Sequence, residues 1–486
     1  RSSGRARKME PDRSPLRTVR LSAKLQQPAV DGLRDAYSSL ADDSSQSAEM
    51  KQAAMLFSVA EGHLADADAD EALKAASDAL KIFNEAKNSK GVADALRVLI
   101  GAHCLKGETN EAKRIADEEL QAFRKAEDKR GEAAMQLSQA EVSLASEKLE
   151  DAFKGASAAR EAFNSIGDSK MEAVAFLAVC RIRTAEEMPL EATRMANAAL
   201  LLFQKAGDSK GRAQGLHAQT AAYLVGGAIK EALQTAEAAV ALFGKLGSKK
   251  EQAFELHRMA MVFMESHKFQ EATTYAKKAQ AIFRQAGFTK GEYLALDSLV
   301  KISLEKGHHT YALTAAKEGI ERFQKAGEKR WEAATMGDTL LQVLIEKGDL
   351  DEALETAEGA LELCKEVERK WEAKATENVA TVHILKRDWD AAVPVAQQAA
   401  TMYEGLGDLK NAGSVHYKLS GAHHQRGDHS AALEEAKEAR QIFKKAGCRA
   451  SETTALLGMC YAHQMMGDMK AASEEAMEAV GKAEEA

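Results

Sequence analysis

The 486-residue sequence predicts an all-α solenoid of eleven helical hairpins. Hydrophobic residues make up 45% of the chain and only 5 residues are proline, a composition that favours helix and argues against a β-rich fold. The sequence also repeats itself every 40 residues, with two helical patterns in each period. Repetition at this spacing is typical of hairpins that each bury an apolar face against the next.

Two alanine positions, four residues apart, recur in the second helix of every period. The first position holds Ala72, Ala112, Ala152, Ala192, Ala232, Ala272, Ala312, Ala353, Ala392, Ala432 and Ala472. The second holds Ala76, Ala116, Ala156, Ala196, Ala236, Ala276, Ala316, Ala357, Ala396, Ala436 and Ala476. An aromatic ring follows seven residues later, as Phe83, Phe123, Phe163, Phe203, Phe243, Phe283, Phe323, Tyr403 and Phe443, with Cys364 as the exception. These spacings share one helix face, where we expect the alanines to admit a neighbouring helix and the ring to fill the gap.

Glycine ends most of the predicted helices. After the first helix of a period stand Gly107, Gly227, Gly307, Gly348, Gly427 and Gly467. After the second helix stand Gly167, Gly207, Gly247, Gly287, Gly327, Gly407 and Gly447. Glycine readily adopts the left-handed conformation that ends a helix. The 40-residue spacing is interrupted once, by a one-residue insertion before Ala353 that a one-residue deletion before Trp371 compensates. We expect both changes to lie in loops.

The chain divides into an arm and a repeat region. We expect residues 1–47 to form a basic N-terminal arm and lead-in, and residues 48–486 to form the solenoid. Its units begin at residues 48, 88, 128, 168, 208, 248, 288, 328, 368, 408 and 448. Residues 1–24 carry eight bases and two acids, whereas the whole chain has a net charge of −8. The solenoid is therefore acidic, and a basic start that contains proline is typical of an extended arm.

Two features bear on the compartment. The Arg- and Ser-rich start, which begins with Arg1, is similar to what remains near an organellar transit peptide, although an artificial start or an ordinary tail fits equally well. The five cysteines are scattered, as Cys104, Cys180, Cys364, Cys448 and Cys460, and suit a reducing environment better than a disulfide framework. We therefore expect a soluble protein of a plastid or mitochondrion, with the cytoplasm as the alternative.

The repeat resembles a known family. The segment GAIKEALQTAEAAVALF (227–243) follows the pattern G-x-x-x-E-A-L-x-x-A-x-x-A-L-x-x-F and resembles the second half of a tetratricopeptide repeat. The resemblance covers residues 48–486, and the 40-residue spacing is similar to that of spindle-orientation adaptors. It implies a right-handed superhelix whose first helices line a concave groove. HEAT repeats are the alternative architecture, but their recurring Pro and Asp/Arg signals are not found.

The resemblance also implies which residues line the groove in the central units. They are Arg181, His217, Phe254, His257, Met261, Met264 and Lys301. This mixture of cations and soft apolar side chains suits an extended segment that contains acids and hydrophobes. Ordinary core packing on a solvated face is the alternative interpretation of the same residues.

A row of bases recurs near the start of the first helix. It consists of Lys90, Arg130, Lys170, Lys210, Lys250, Lys290, Arg330, Lys370 and Lys410. This basic edge row could meet anionic lipid heads or an acidic partner. The favoured alternative is that each stem covers the nearby aromatic ring while its head pairs with acids such as Asp168 or Asp208.

Histidines share another position of the repeat, as His63, His103, His383, His423 and His463. Neighbours in this row stand roughly 10 Å apart, one repeat spacing, which is too far for the ligands of one ion. We therefore expect no metal site and no cofactor.

No P-loop, G-x-G-x-x-G, H-E-x-x-H or paired C-x-x-C motif occurs, so we expect no enzyme. The sequence favours a non-catalytic scaffold or adaptor that binds partner proteins or extended peptides along a helical-repeat surface. The alternative is a structural, assembly or linker subunit of a large organellar complex, photosynthetic or respiratory. The acidic body argues against nucleic acid. No apolar stretch could span a membrane, although peripheral contact stays open.

Overall fold

The computed structural model describes residues 32–146, 148–367 and 369–484. Within these ranges the chain forms 23 helices and no strand, so the predicted all-α fold of stacked helical hairpins is confirmed. The basic stretch at residues 1–24 lies outside the described residues. The chain divides into two compact units that meet between Ile282 and Phe283. The division of residues 48–486 into eleven units that begin at the residues given above stays a prediction.

The first unit contains a lead-in helix followed by hairpins 1 to 6. Its helices are α1 (Arg34–Asp42), α2 (Ala48–Ala65), α3 (Ala69–Glu85), α4 (Ser89–Lys106), α5 (Thr109–Lys125), α6 (Lys129–Ala145), α7 (Leu149–Ile166), α8 (Ser169–Ala185), α9 (Pro189–Lys205), α10 (Ser209–Val225), α11 (Ile229–Lys245), α12 (Lys249–Glu265) and α13 (Phe269–Gln285). Hairpin 1 is α2 with α3, and later hairpins pair in the same order. The boundary between the two units falls in the last turn of α13.

The second unit contains hairpins 7 to 11. Its helices are α14 (Thr289–Glu305), α15 (His309–Lys325), α16, α17 (Leu350–Lys365), α18 (Arg369–Lys386), α19 (Trp389–Gly405), α20 (Leu409–Arg426), α21 (His429–Lys445), α22 (Arg449–Met466) and α23 (Met469–Glu484). Helix α16 is α-helical over Lys329–Ala334 and Leu341–Lys347, with a π-helical segment over Thr335–Leu340 between them.

The alanine positions and the ring hold each hairpin together. Ala72, Ala76 and Phe83 are all fully buried in hairpin 1. The ring of Phe83 packs against Gly91, near the start of the next helix. A Cβ added to Gly91 would lie only 2.5 Å from Phe83 Cδ1, so the ring needs a glycine there. The same ring-on-glycine contact occurs at Gly131, Gly211 and Gly291, whereas Gly413 packs against Phe443 of its own hairpin. Small residues on both sides of the ring therefore set how closely the helices approach.

The helix-ending glycines adopt the predicted left-handed conformation. All thirteen glycines named above for this role have positive φ, between 65° and 87°. Where the repeat lacks glycine at this position, another residue takes the same conformation, as at Ala67, Lys87, Glu127, Glu187, His267 and Arg387. The left-handed backbone conformation therefore ends the helix even where an L-residue must adopt it at an energetic cost.

The expectation that both length changes lie in loops is wrong. The inserted residue lies within α16, where the π-helical segment Thr335–Leu340 takes up the extra residue. Its backbone is anchored by Asn378 of α18, whose Nδ2 donates to Gly337 O at 2.8 Å. The compensating deletion shortens α17 to 16 residues. A π turn accommodates an extra residue at the cost of local helix geometry, while the flanking α segments stay in phase with their neighbours.

Candidate functional site

A cavity of about 130 Å³ lies in the first unit, where first helices of the hairpins face the lead-in segment. Helices α2, α6, α8, α10 and α12 line it, together with Phe243 of α11 and with Gly32 and Arg34, which lie before and at the start of α1. Its walls combine apolar side chains, such as Val174 and Leu177, with buried charges. Cavities of this composition are the usual form of a ligand site in a protein.

Two arginines share one carboxylate on one side of the cavity. Arg181 Nη2 lies 2.9 Å from Glu141 Oε1, and Arg97 Nη2 lies 3.2 Å from Glu141 Oε2. Arg97 also donates to Ser138 Oγ at 3.2 Å. Arg181 and Glu141 line the cavity, whereas Arg97 lies behind them and is 5% exposed. This group carries one more positive charge than negative charge.

Glu255, His217 and Arg258 form a second buried group. His217 Nδ1 hydrogen-bonds to Glu255, and Arg258 Nη2 lies 2.9 Å from His217 Nε2. Burial lowers the pKa of His217, and the charges of Arg258 and Arg181 lower it further. A neutral imidazole therefore donates through Nδ1 and accepts through Nε2. Burial raises the pKa of Glu255, but His217 and Arg258 outweigh it and the pKa is lowered.

Some donors around the cavity have no hydrogen-bond partner. Arg258 is 2% exposed, yet its Nη1 makes no hydrogen bond within the described chain. The Nε of Arg181 likewise has none. Both arginines line the cavity, and the charge of each lowers the pKa of His217. A buried guanidinium without full hydrogen bonding is costly, and a bound group that accepts from it would offset that cost.

The lead-in segment closes one side of the cavity. Glu61 of α2 accepts hydrogen bonds from Leu33 N, at 3.0 Å, and from Arg34 N. Lys170 Nζ lies 2.8 Å from Gly32 O, and Lys210 Nζ lies 3.4 Å from Asp35 Oδ1. Hairpins 4 and 5 are thus tied to α1, although more than a hundred residues separate them in the chain.

Most of the basic edge row contacts this chain itself. Arg130 bridges Asp94 Oδ1 at 2.9 Å and Asp168 Oδ2 at 3.1 Å. Lys170 also lies 3.3 Å from Asp208 Oδ2. In the second unit, the Arg330 guanidinium stands 5.3 Å and 5.0 Å from the ring centroids of Trp331 and Trp371. Lys210 and Lys250 pair with Asp35 and Asp66. The remaining members, near the start of first helices, are Lys90, Lys290, Lys370 and Lys410.

The predicted groove residues fall into three groups. Arg181, His217 and Phe254 line the cavity. His257 and Met261 are buried elsewhere in α12, and Met264 is half-buried near its end. Lys301 belongs to α14 of the second unit, where it pairs with Asp297. Their role as partner-binding residues stays a prediction.

Sequence reasoning missed Arg258 and Glu255, although a signal was present. Arg258 occupies the position that holds Ala178 and Ala218 in the two preceding hairpins. Glu255 occupies the position of Ala175, Gly215 and Ala295. Opposite charges at two positions that elsewhere hold small residues indicate a buried ionic group.

The histidine row serves helix ends. His103 Nδ1 lies 2.7 Å from Glu108 Oε2, and His383 Nδ1 lies 3.2 Å from Asp388 Oδ2. In each case the imidazole pairs with the acid that precedes the next helix. Across residues 32–146, 148–367 and 369–484, no group of three or more His, Cys, Asp or Glu side chains could hold a metal ion. The helices described in these ranges include none with the length and apolar character needed to span a bilayer.

One protein family matches part of this chain, and several solved structures are similar to it. Residues 331–405 match the family model of the tetratricopeptide repeat. No curated protein sequence matches this chain. Among solved structures, yeast Tom70 is 14% identical with a TM-score of 0.49, covering 95% of this chain and 97% of its own. A Rap protein complexed with competence and sporulation factor is 14% identical with a TM-score of 0.41, covering 82% and 99%.

A signal-transduction ATPase from Pyrococcus horikoshii with a tetratricopeptide-repeat sensor is 11% identical, with a TM-score of 0.42, covering 99% of this chain and 66% of its own. The hairpins and their periodic small residues define a helical-repeat protein. The match covers hairpins 8 and 9 and identifies residues 331–405 as tetratricopeptide repeats.

Proposed function

We propose that this chain is a non-catalytic scaffold that holds partner proteins through extended segments bound along the first helices of its hairpins. The tetratricopeptide repeat is a protein-interaction fold, which supports the proposal. The observation that carries it is the cavity of the first unit, because first helices from hairpins 1, 3, 4, 5 and 6 all contribute to that one surface.

The chemistry of this surface selects the partner segment. Arg181 and Lys210 offer positive charge, while Leu177 and Phe254 offer apolar contact. A segment that alternates acidic and apolar side chains would satisfy both, because extended peptides present successive side chains to different pockets. Proteins or peptides of this kind are therefore the proposed partners.

Affinity capture from a native extract, with the full chain as bait, tests the proposal. Arg181→Glu reverses a charge in the cavity, whereas Arg194→Glu makes the same change on the exposed surface of α9 in the same hairpin. We expect a defined set of proteins to be captured by the wild type and by Arg194→Glu, and lost from Arg181→Glu.

Circular dichroism of both variants controls for folding. An identical helical signal in all three proteins shows that loss of capture reflects the surface and not unfolding. Capture that is the same for Arg181→Glu and Arg194→Glu, or no saturable capture by the wild type, would refute the proposed use of this surface.

A further inference from the structure

Helix α1 lies against the same surface that the scaffold role assigns to a partner. We propose that residues 32–42 are an intramolecular ligand of the first unit, which a partner segment must displace before it binds along the first helices. This autoinhibitory contact rests on the proposed function, because it acts on the cavity surface that the scaffold uses.

The lead-in segment reaches across the first unit instead of continuing the stack of hairpins. Lys170 Nζ of hairpin 4 donates to Gly32 O at 2.8 Å. Lys210 Nζ of hairpin 5 lies 3.4 Å from Asp35 Oδ1. Gly32 and Arg34 also line the cavity, beside the first helices of hairpins 1 and 3 to 6. A segment bound along those helices would therefore meet α1.

Helix α1 does not act as a cap for the end of the hairpin stack. A helical array needs a terminal element that covers the apolar face of its outermost repeat. Met55 and Val59 of α2 correspond to Ala95 and Leu99 of α4, which are buried where another hairpin precedes them. With α1 in place, Met55 is still 61% exposed and Val59 47% exposed. The position of α1 is therefore not explained by protection of that face.

The contacts that hold α1 are centred on Tyr37. Its ring centroid stands 4.0 Å from that of Phe57 and 5.8 Å from that of Phe83. Its hydroxyl donates to Asp94 Oδ2 at 2.8 Å, and burial together with the charge of Asp94 raises the Tyr37 pKa, so the phenol stays a donor. Leu33 is the second buried apolar side chain of the segment. A displacing segment must fill the places of both side chains.

Helix α1 depends on this docking for its helical order. It has nine residues, and the side chain of its N-cap residue, Leu33, caps nothing. Glu61 of α2 accepts from Leu33 N and Arg34 N instead. Isolated helices shorter than about 12–15 residues are marginal in water. A competitor that takes over these contacts therefore releases α1, because no further interaction within the helix holds it in place.

The short connection to α2 determines how strongly a competitor must bind. Helix α1 ends at Asp42 and α2 begins at Ala48, so α1 stays near its site at an effective concentration on the order of millimolar. A free peptide with the same sequence competes poorly with this tethered copy. A partner that makes additional contacts along the hairpins can exceed it, so α1 sets a threshold for binding.

Binding of a labelled peptide to the full chain tests the proposal. The probe is a fluorescent peptide with the sequence of residues 32–43, blocked at both ends and measured by anisotropy. The variant Leu33→Ala/Tyr37→Ala removes the two buried side chains of the lead-in and leaves the surface beneath them unchanged. The matched control, Ser39→Ala/Asp42→Ala, changes two exposed positions of the same helix.

The probe should bind Leu33→Ala/Tyr37→Ala saturably, with an affinity about tenfold or more above that for the wild type or the control, tested up to about 1 mM. A probe that carries the same two substitutions should bind none of the three proteins. Hydrogen exchange should find the α1 amides protected in the wild type and the control, and unprotected in Leu33→Ala/Tyr37→Ala. Helices α2 to α13 should keep their protection in all three.

Equal affinity of the probe for the wild type and the double variant would overturn the proposal, because α1 would then not cover the surface. Protected α1 amides in the double variant, or unprotected amides without probe binding, would overturn it as well. Wild-type dimers that the double variant loses would assign the surface to α1 of a second copy, and the intramolecular contact would be wrong.

Affinity capture separates this inference from the scaffold role. Leu33→Ala/Tyr37→Ala should capture the same proteins as the wild type in several-fold larger amounts, because the surface is already open. Unchanged capture, despite probe binding, would overturn the competition and leave the scaffold role intact. Probe binding without capture by any of the proteins would remove the scaffold role, and with it the competition, while the exchangeable contact of α1 remained.

Discussion

Lys250 Nζ lies 2.6 Å from Asp66 Oδ2, although 184 residues separate the two in the chain. Lys250 is the second residue of α12 in hairpin 6, and Asp66 directly follows α2 in hairpin 1. The first unit therefore brings its first and last hairpins together through side chains. This contact, with those of Lys170 and Lys210, encloses the cavity.

Reversing both charges of this pair should preserve it, whereas reversing one should not. Lys250 and Asp66 are about one-third exposed, so we expect a coupling energy of only ~0.2–1 kcal/mol, as for other exposed pairs. A double-mutant cycle with Lys250→Glu and Asp66→Lys in urea unfolding measures it. The coupling should shrink at high salt because exposed charges are screened. A coupling that is zero at low salt would contradict this expectation.

Glu61 should be the main anchor of α1. It is 3% exposed and accepts from Leu33 N and Arg34 N. Glu61→Ala leaves two amides without these acceptors and should weaken docking of α1 by about 1–3 kcal/mol. Hydrogen exchange of the α1 amides measures the loss. Glu85→Ala, at an exposed position of α3, is the control and should leave α1 exchange unchanged. Equal protection of α1 in Glu61→Ala and wild type would disprove the anchoring role.

The ring-on-glycine contact predicts opposite effects for two identical substitutions. A Cβ at Gly131 would overlap the Phe123 ring, so Gly131→Ala should destabilise the first unit by about 1–3 kcal/mol through overpacking. Gly421 lies within α20, where an added Cβ meets nothing within 4 Å. Gly421→Ala should therefore stabilise the chain by about 0.5–1 kcal/mol, because alanine is the better helix former. Thermal unfolding of both variants checks the two signs.

The left-handed residues that are not glycine offer a stabilising change. Lys87 ends hairpin 1 with φ of 52°, a conformation that costs an L-residue energy which glycine does not pay. Lys87→Gly should raise the free energy of unfolding by about 0.5–1 kcal/mol. Lys87→Ala is the control, since it removes the same side chain and keeps the strain. Urea unfolding that gives the two variants equal stability would show that φ is not the cause.

His416 should make stability depend on pH. Burial disfavours its charged form, but the hydrogen bond to Glu435 and the charges of Glu435, Glu438 and Glu404 outweigh burial and raise its pKa. Because the folded pKa lies above the unfolded value near ~6.5, this stabilisation is fully present below that pH. It is lost as pH rises through the folded pKa. The urea midpoint should fall over that range in the wild type and stay flatter in His416→Gln. Parallel pH profiles would contradict the assignment.

The fold was predictable because each repeated residue type has one structural role. Alanine admits a helix, phenylalanine fills the remaining gap, and glycine allows the left-handed turn. Each of these depends on residues close in sequence. The packing of Phe83 on Gly91 was not predicted, because it is a relation between adjacent hairpins whose first-helix residues vary more. The π-helical segment was missed because a shift in count does not reveal where the chain takes it up.

The candidate site was predictable only in part. Arg181, His217 and Phe254 were placed on the first-helix side and do line the cavity. Arg258 was passed over because it directly precedes an apolar run, Met259 to Val262, that reads as ordinary core. The closure of the cavity depends on contacts such as Lys210 with Asp35, 175 residues apart. Such contacts follow from the rotation accumulated over several hairpins, which no local pattern of residues encodes.

The π-helical segment of α16 has a consequence for how such chains change over time. One extra residue is taken up within a single helix turn, and the neighbouring helices α15 and α17 keep Ala316 and Ala357 fully buried. The shorter α17 takes up the loss in the same local way. A gain and a loss of one residue are therefore each absorbed within one helix of hairpin 8, so a change of length there does not propagate down the chain.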